Sequence, residues 1–477
     1  MHGALTALGT LAGAALLLGC STENAYFRSG QDAESDARAS SGGSGGAGAA
    51  GGASGGRAGG AAAGGASGGG TGSASAGGAG GSADSGTPAI PLTGTPIPEL
   101  NVDPENCLVS ALPDGALPPL RWVSCGPACE EADATAPLGG IVVGHAASMV
   151  ESVALGAWRH GLRLPDGVRE VWRIVRLRDG VSPTALVAHH LRSGGCTRSW
   201  DRQSANSLLF TATLSPTNLQ VHGVFRPSRG WAWSSRPIPR DDTPPAFTYV
   251  ASDQSIFYAG GGGVFYTTPP TPGFSATEGG EGASLADAYG DTVVWLAGDR
   301  AEVRASEGHG PAKTIAQAVP TSSTAVAVSA DHVVGIAQEG AEGREGIRFW
   351  YHRRGAAPAA VEQGPTVGGG VFIGSGHTLR TWGDYAAAWV TGWDGVHYPE
   401  PPYPRIYQLI VVQLSTWKAW RLGPRDGFDP RDDTFAIDGE HLYAGAVKDL
   451  YANTDFLAKL YRFPLARLDE VAERLTP

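Results

Sequence analysis

The chain has 477 residues, room for two or three average domains or one large repeat domain. Charged residues make up 17% and the net charge is −11, so neither a nucleic-acid partner nor an anionic membrane surface is indicated. Apolar residues at 42% and aromatic residues at 8% allow a sizeable core.

Ala4 to Leu18 is apolar or small throughout. This run of about 15 residues is short for a membrane span, which takes about 20, and has the length of a signal-peptide apolar region. It ends in Leu17-Leu18-Gly19-Cys20, with Ser21 next. These residues resemble a bacterial lipobox. The resemblance implies a lipoprotein signal peptide over 1–19, cleavage before Cys20 and acylation of its sulfur. Two or three acyl chains hold a protein firmly where one holds it marginally. Serine rather than aspartate after the cysteine implies the outer membrane rather than the inner one. The expected location is thus the cell envelope, lipid-anchored, periplasmic or surface-exposed, with the membrane as a partner through the anchor. Only His2 precedes the apolar run where a lysine or arginine is usual, and a secretory signal with a coincidental cysteine is the competing reading.

Residues 20–104 read as a tether. Positions 40–86 hold 22 glycines among 47 residues, with Ala, Ser and Thr and no Val, Leu, Ile or aromatic. Nothing there can offset the entropy of ordering, so a flexible linker is expected. Roughly 75 residues of such chain reach about 50 Å end to end. Gly43–Gly48 fits G-x-G-x-x-G and Gly52–Gly56 fits G-x-S-x-G, but both motifs need a strand before and a helix after, and neither has them. Prolines 88, 91, 96, 98 and 104 stiffen the approach to the folded part.

From 105 to 477 the chain alternates short runs rich in Val, Ile, Tyr, Phe and Trp with Gly, Pro, Asp and Ser clusters, an all-β texture. Only "LARLDEVAERL" (465–475) reads as helix. A turn aspartate followed by an apolar strand recurs at Asp253, Asp291, Asp331, Asp384 and Asp438. Strands such as "FTYVA", "SLADA", "AVAVS" and "FAI" precede these turns, and runs such as "AEVRAS" and "IRFWYHR" follow. Four short strands per repeat is the pattern of a β-propeller blade. Adding 207–235 and 139–191 gives seven units, with six larger ones as the alternative. The segment 117–125 is expected to complete the last blade by pairing the two ends of the domain, which removes open sheet edges. Each turn carboxylate is expected to cap backbone N–H groups. The region resembles bacterial β-propellers of the TolB-like and WD-repeat-like kind, although Gly376-His377 and Trp393-Asp394 lie too close together for a true WD unit.

Most of the thirteen tryptophans are expected between blades. Trp393 leads into "GVHYPEPPYPRIY" (395–407), where Tyr398, Tyr403 and Tyr407 sit among four prolines. A projecting aromatic loop of this kind is a candidate binding element. Beyond Cys20 there are four cysteines, and an even count in an exported chain reads as two disulfides, of which Cys125–Cys129 and Cys107–Cys196 is the favoured pairing. A zinc site from Cys125, Cys129 and a histidine is the weaker reading. His189 and His190 are adjacent in a strand and so point to opposite faces.

Asp426, Asp429, Asp432 and Asp433 are weak calcium candidates, since calcium takes about six to eight oxygens, but Arg425 and Arg431 can neutralise the same carboxylates. No other cofactor is indicated, and no catalytic constellation stands out. The expected function is a non-enzymatic binding or scaffolding module for an envelope protein or glycan. The alternative is a polymer-acting enzyme of glycan hydrolase or lyase type, with carboxylates at the channel mouth.

Overall fold

In the computed structural model, the described residues run from 93 to 475, except 101–106, 135–137, 139–140, 165–166, 191–196, 201–207, 215–218, 238–247, 252–254, 261–262, 269–274, 284–285, 298–299, 341–345, 368–370, 373–378, 394–404, 424–429 and 447–458. The signal peptide, Cys20 and nearly all of the tether lie outside them. The described strands form seven antiparallel-based sheets, the blades of a β-propeller.

The first blade runs outward from Ile141–Val150 through Val153–Leu164, Gly167–Arg176 and Thr184–His190 to Cys107–Leu112 and Thr95–Pro96. The second comprises Thr197–Trp200, Leu208–Leu214, Leu219–Arg226 and Gly230–Pro237; the third begins at Thr248–Ala251 and ends at Ser275–Ala276. The fourth starts at Ala286–Tyr289, the fifth at Ser323–Val328, the sixth at Leu379–Trp382 and the seventh at Pro430–Ile437. The innermost region of each blade packs on the next, and Pro430–Ile437 packs back on Ile141–Val150, so the ring is closed.

Closure uses both ends of the domain. In the seventh blade, Pro430–Ile437, His441–Ala446 and Lys459–Pro464 come from the C-terminal side, and Cys129–Asp133 pairs antiparallel with Lys459–Pro464 as the fourth strand. Val123–Gly126 adds a fifth. The closing strand therefore lies a few residues beyond the expected 117–125. The apolar part of that stretch serves as packing instead, with Leu117 and Leu120 buried. The expected terminal helix is also corrected: Leu465–Glu470 is a short 3-10 segment, and Glu473–Leu475 becomes an edge strand of the sixth blade.

Several of the described tryptophans pack in the core as expected. Trp158, Trp172, Trp295, Trp350, Trp389 and Trp420 are buried. Two glycines make room for such rings: a Cβ on Gly335 would stand 2.0 Å from its cross-strand partner Trp350, and one on Gly223 2.2 Å from Trp233. The Trp350 indole donates to Ser323 Oγ at 3.0 Å, which satisfies its N–H inside the core.

Candidate functional site

Within each blade the turns between first and second strands, and between third and fourth, lie at one end of the ring. A backbone hydrogen bond repeats there. The N–H just after the third strand donates to a carbonyl in the first turn: Gly308 to Asp291, Arg354 to Asp331, Leu414 to Asp384 and Leu465 to Glu440, each 2.8 Å. The aspartates thus mark a structural station, but their carboxylates differ. Asp438 caps its own hairpin, accepting from the Glu440 and His441 N–H groups at 3.0 and 2.8 Å and from Tyr443 Oη at 2.8 Å. Asp384 reaches the neighbouring turn, accepting from Ser415 N at 2.8 Å, Ser415 Oγ at 2.5 Å and Gln413 Nε2 at 3.0 Å. Asp253 lies outside the described residues.

At the axis, aromatic rings narrow this end. Tyr289 ends the first strand of the fourth blade and Trp382 ends that of the sixth, yet their centroids are 5.5 Å apart at 69°. Two blades that are not neighbours meet through these rings. Trp382 also packs on buried residues shared by the sixth, seventh and first blades. A Cβ on Gly439 would stand 3.3 Å from the indole, so this turn glycine (φ +85°) admits it. Arg354 braces the rim: its guanidinium lies 5.7 Å over Tyr289 and donates to Ser329 O at 2.9 Å and Thr292 Oγ1 at 2.7 Å. His332 Nδ1 is 3.1 Å from Gly383 O.

The closure seam adds charge. Arg462 pairs with Glu130, donates to Arg178 O at 2.8 Å and stacks 4.6 Å over Trp122. Arg178 pairs with Glu440, and Lys459 with Glu131. The Arg462 hydrogen bond holds the Glu130 carboxyl below the usual carboxylate range. Burial first, then the Asp438 charge, pushes the Tyr443 phenol up. His441 is lowered by burial, against the opposing pull of Asp438. Asp438, Asp384, Glu130 and Glu440 are engaged as acceptors or ion-pair partners.

A hydroxyl–imidazole cluster joins the third and fourth blades. Ser255 Oγ lies 2.5 Å from His309 Nε2 and 3.0 Å from Thr268 Oγ1, and the His309 ring stacks on Tyr266 at 4.0 Å and 9°. Burial lowers the His309 pKa, with Asp291 pulling the other way. Ser255 is only 1% exposed, so a substrate carbonyl cannot approach its hydroxyl. The cluster is an inter-blade lock, and sequence reading missed it because its members lie in separate repeats.

The sequence-derived candidates fall elsewhere. Cys125 and Cys129 form a disulfide, Cα–Cα 5.2 Å, across the hairpin that presents the closing strand. Cys107 begins an outer strand of the first blade, opposite His190, while Cys196 is outside the described residues. His189 and His190 alternate along one strand, opposite Leu108 and Cys107. Trp393 ends the second strand of the sixth blade, opposite Arg405, and Tyr407 stands opposite Thr391. Positions 393 and 407 are therefore diagonal neighbours on one face, at the end of the ring away from Trp382. Tyr398 and Tyr403, in the connection between those strands, lie outside the described residues. So do Asp426 and Asp429; Asp432 and Asp433 are in the innermost strand of the seventh blade. Among the described residues no group of three or more metal-ligating side chains occurs.

No protein-family model matches the chain. No curated protein matches it either. Among solved structures it is similar to the dihydro-heme d1 dehydrogenase NirN in complex with DHE, at 13% identity over 75% of this chain and 74% of that one, TM-score 0.33. It is similar to Hsv2 of Kluyveromyces lactis at 10% identity, over 60% and 95% of the two chains, TM-score 0.29. The polysaccharide lyase Uly1 is similar at 10% identity, over 79% and 91%, TM-score 0.29. The arrangement of its sheets around a closed ring makes this chain a β-propeller.

Proposed function

We propose that the protein is a lipid-anchored envelope β-propeller that binds a protein or glycan partner without chemistry. Cys20 carries the anchor, 20–104 gives reach, and the ring presents the 393–407 aromatic segment. The carrying observation is a division of labour between the ends of the ring. At the turn end, the Asp438, Asp384 and Glu130 carboxylates are engaged in turn caps and an ion pair, and Trp382 with Tyr289 narrows the axis. The register of Tyr385–Trp393 with Arg405–Gln413 sets Trp393 and Tyr407 at the other end, flanking the proline- and tyrosine-rich connection.

The test uses the mature chain with and without residues 394–404 exchanged for a short Gly-containing turn, presented to envelope extracts and purified cell-envelope glycans. The expected result is retention of a partner by the native chain, loss on exchange, and no change in the partner's mass. Shortened glycan products would overturn the non-enzymatic reading in favour of polymer cleavage.

A further inference from the structure

We propose that the interface between the first and seventh blades holds one small inorganic monovalent anion of halide type, bound between the Arg173 guanidinium and the His160 imidazole. Arg173 lies in Gly167–Arg176 opposite Trp158, and His160 lies in Val153–Leu164 opposite Val171. They are diagonal neighbours on one face of the sheet, within reach of a long side chain. That face meets the seventh blade, since Trp158 and Val175 pack with Ala132 and Leu460.

Both side chains are 0% exposed. Arg173 donates from Nε to Ser182 Oγ and from Nη2 to Pro118 O, while its Nη1 has no hydrogen-bond partner. Neither ring nitrogen of His160 has one. The two acceptors that Arg173 reaches are neutral, so its charge is unbalanced among the described residues. A buried lysine or histidine escapes this by losing its proton, but arginine does not. Burial lowers the Arg173 pKa only to about 10, and His160, lowered to about 3 by burial and then by the Arg173 charge, stays neutral with one N–H to give.

The chemistry selects the ligand. A cation is repelled, and a water would fill the hydrogen bonds but leave the charge uncompensated. An anion satisfies both. The remaining donors are two N–H groups on Nη1 and one on the imidazole, and Val171, Leu117 and Val187 nearby are apolar. Few donors and apolar surroundings suit a weakly hydrated halide better than a sulfate or phosphate, whose oxygens need more partners.

The experiment is anomalous diffraction from crystals of the mature protein grown in bromide, together with melting in chloride, bromide or gluconate at equal ionic strength. A bromide peak within hydrogen-bond distance of Arg173 Nη1 is expected. So is a melting temperature about 2 °C or more higher in halide than in gluconate, saturating with concentration. Arg173→Met should remove that increment; should this variant fail to fold, the diffraction of the native protein decides. A water or a protein carboxylate at Nη1, without anomalous signal, overturns the proposal. So does a bromide peak with no halide effect on melting, which would be binding at crystal concentration only.

Discussion

His160 couples the stability of the ring to pH. Its folded pKa is lowered to about 3 against 6.5 for an ordinary histidine, by burial first and the Arg173 charge second. Between those values the unfolded chain binds a proton that the folded chain refuses, so stability is full above the unfolded pKa and falls as pH drops. In halide-free buffer the loss is expected to approach about 1.4 kcal/mol per pH unit below about pH 6. Among the described residues Arg173 is the charged group facing it. His160→Leu should flatten the acid limb of urea midpoints measured against pH while leaving the other histidines' share; an unchanged slope would rule His160 out. The turn aspartates show what is legible at this scale. Their positions were evident from spacing, and Asp438 caps its hairpin as expected. The partners of Asp384 were not evident, because Ser415 is brought near by the return of the third strand, 31 residues on, and no local pattern encodes that contact.

Ring closure is the decisive event at the scale of the element. Cys129–Asp133 joins Lys459–Pro464, and the ion pairs Glu130–Arg462 and Glu131–Lys459 fix the register. These pairs are partly exposed, so each contributes about 1 kcal/mol or less. The Cys125–Cys129 bridge restrains the hairpin that carries the closing strand. A loop this short confers about 2 kcal/mol in the chain-entropy model. Cys125→Ser with Cys129→Ser should therefore lower denaturant stability by about that amount, and a reductant should lower the native protein to the variant's level without affecting the variant. Equal stability of native and variant would show that pairing alone latches the ring. Closure between the two ends was legible from the strand-like stretch 117–125 ahead of the first blade, but its register was not. "CEEAD" buries only Ala132 and carries almost no hydrophobic alternation, whereas the more apolar "LPPLRWVSC" (117–125) buries Leu117 and Leu120 as packing and enters the sheet only from Val123. Outer blade strands are half solvated, so hydrophobic pattern marks them weakly.

At the scale of the molecule the two ends of the ring differ in kind. One is finished by short turns, a repeated backbone hydrogen bond and the Tyr289–Trp382 contact across the axis. The other carries the connection between Trp393 and Arg405. The order of blades was legible because each repeat buries its own apolar strands against the next. The axial role of Trp382 was not, since it depends on contacts with blades remote in sequence. This asymmetry has a separable consequence. Trp382→Ala removes a large ring that several blades share and should cost about 3 kcal/mol of stability, read as a shift in denaturant midpoint. It should leave partner retention intact, because Trp393 and Tyr407, which bound the proposed binding segment, are at the far end. Exchange of 394–404 should do the reverse, abolishing retention at unchanged midpoint. Loss of retention in a folded Trp382→Ala protein would move the binding surface to the turn end, where Tyr289, Arg354 and Trp382 would be its first members.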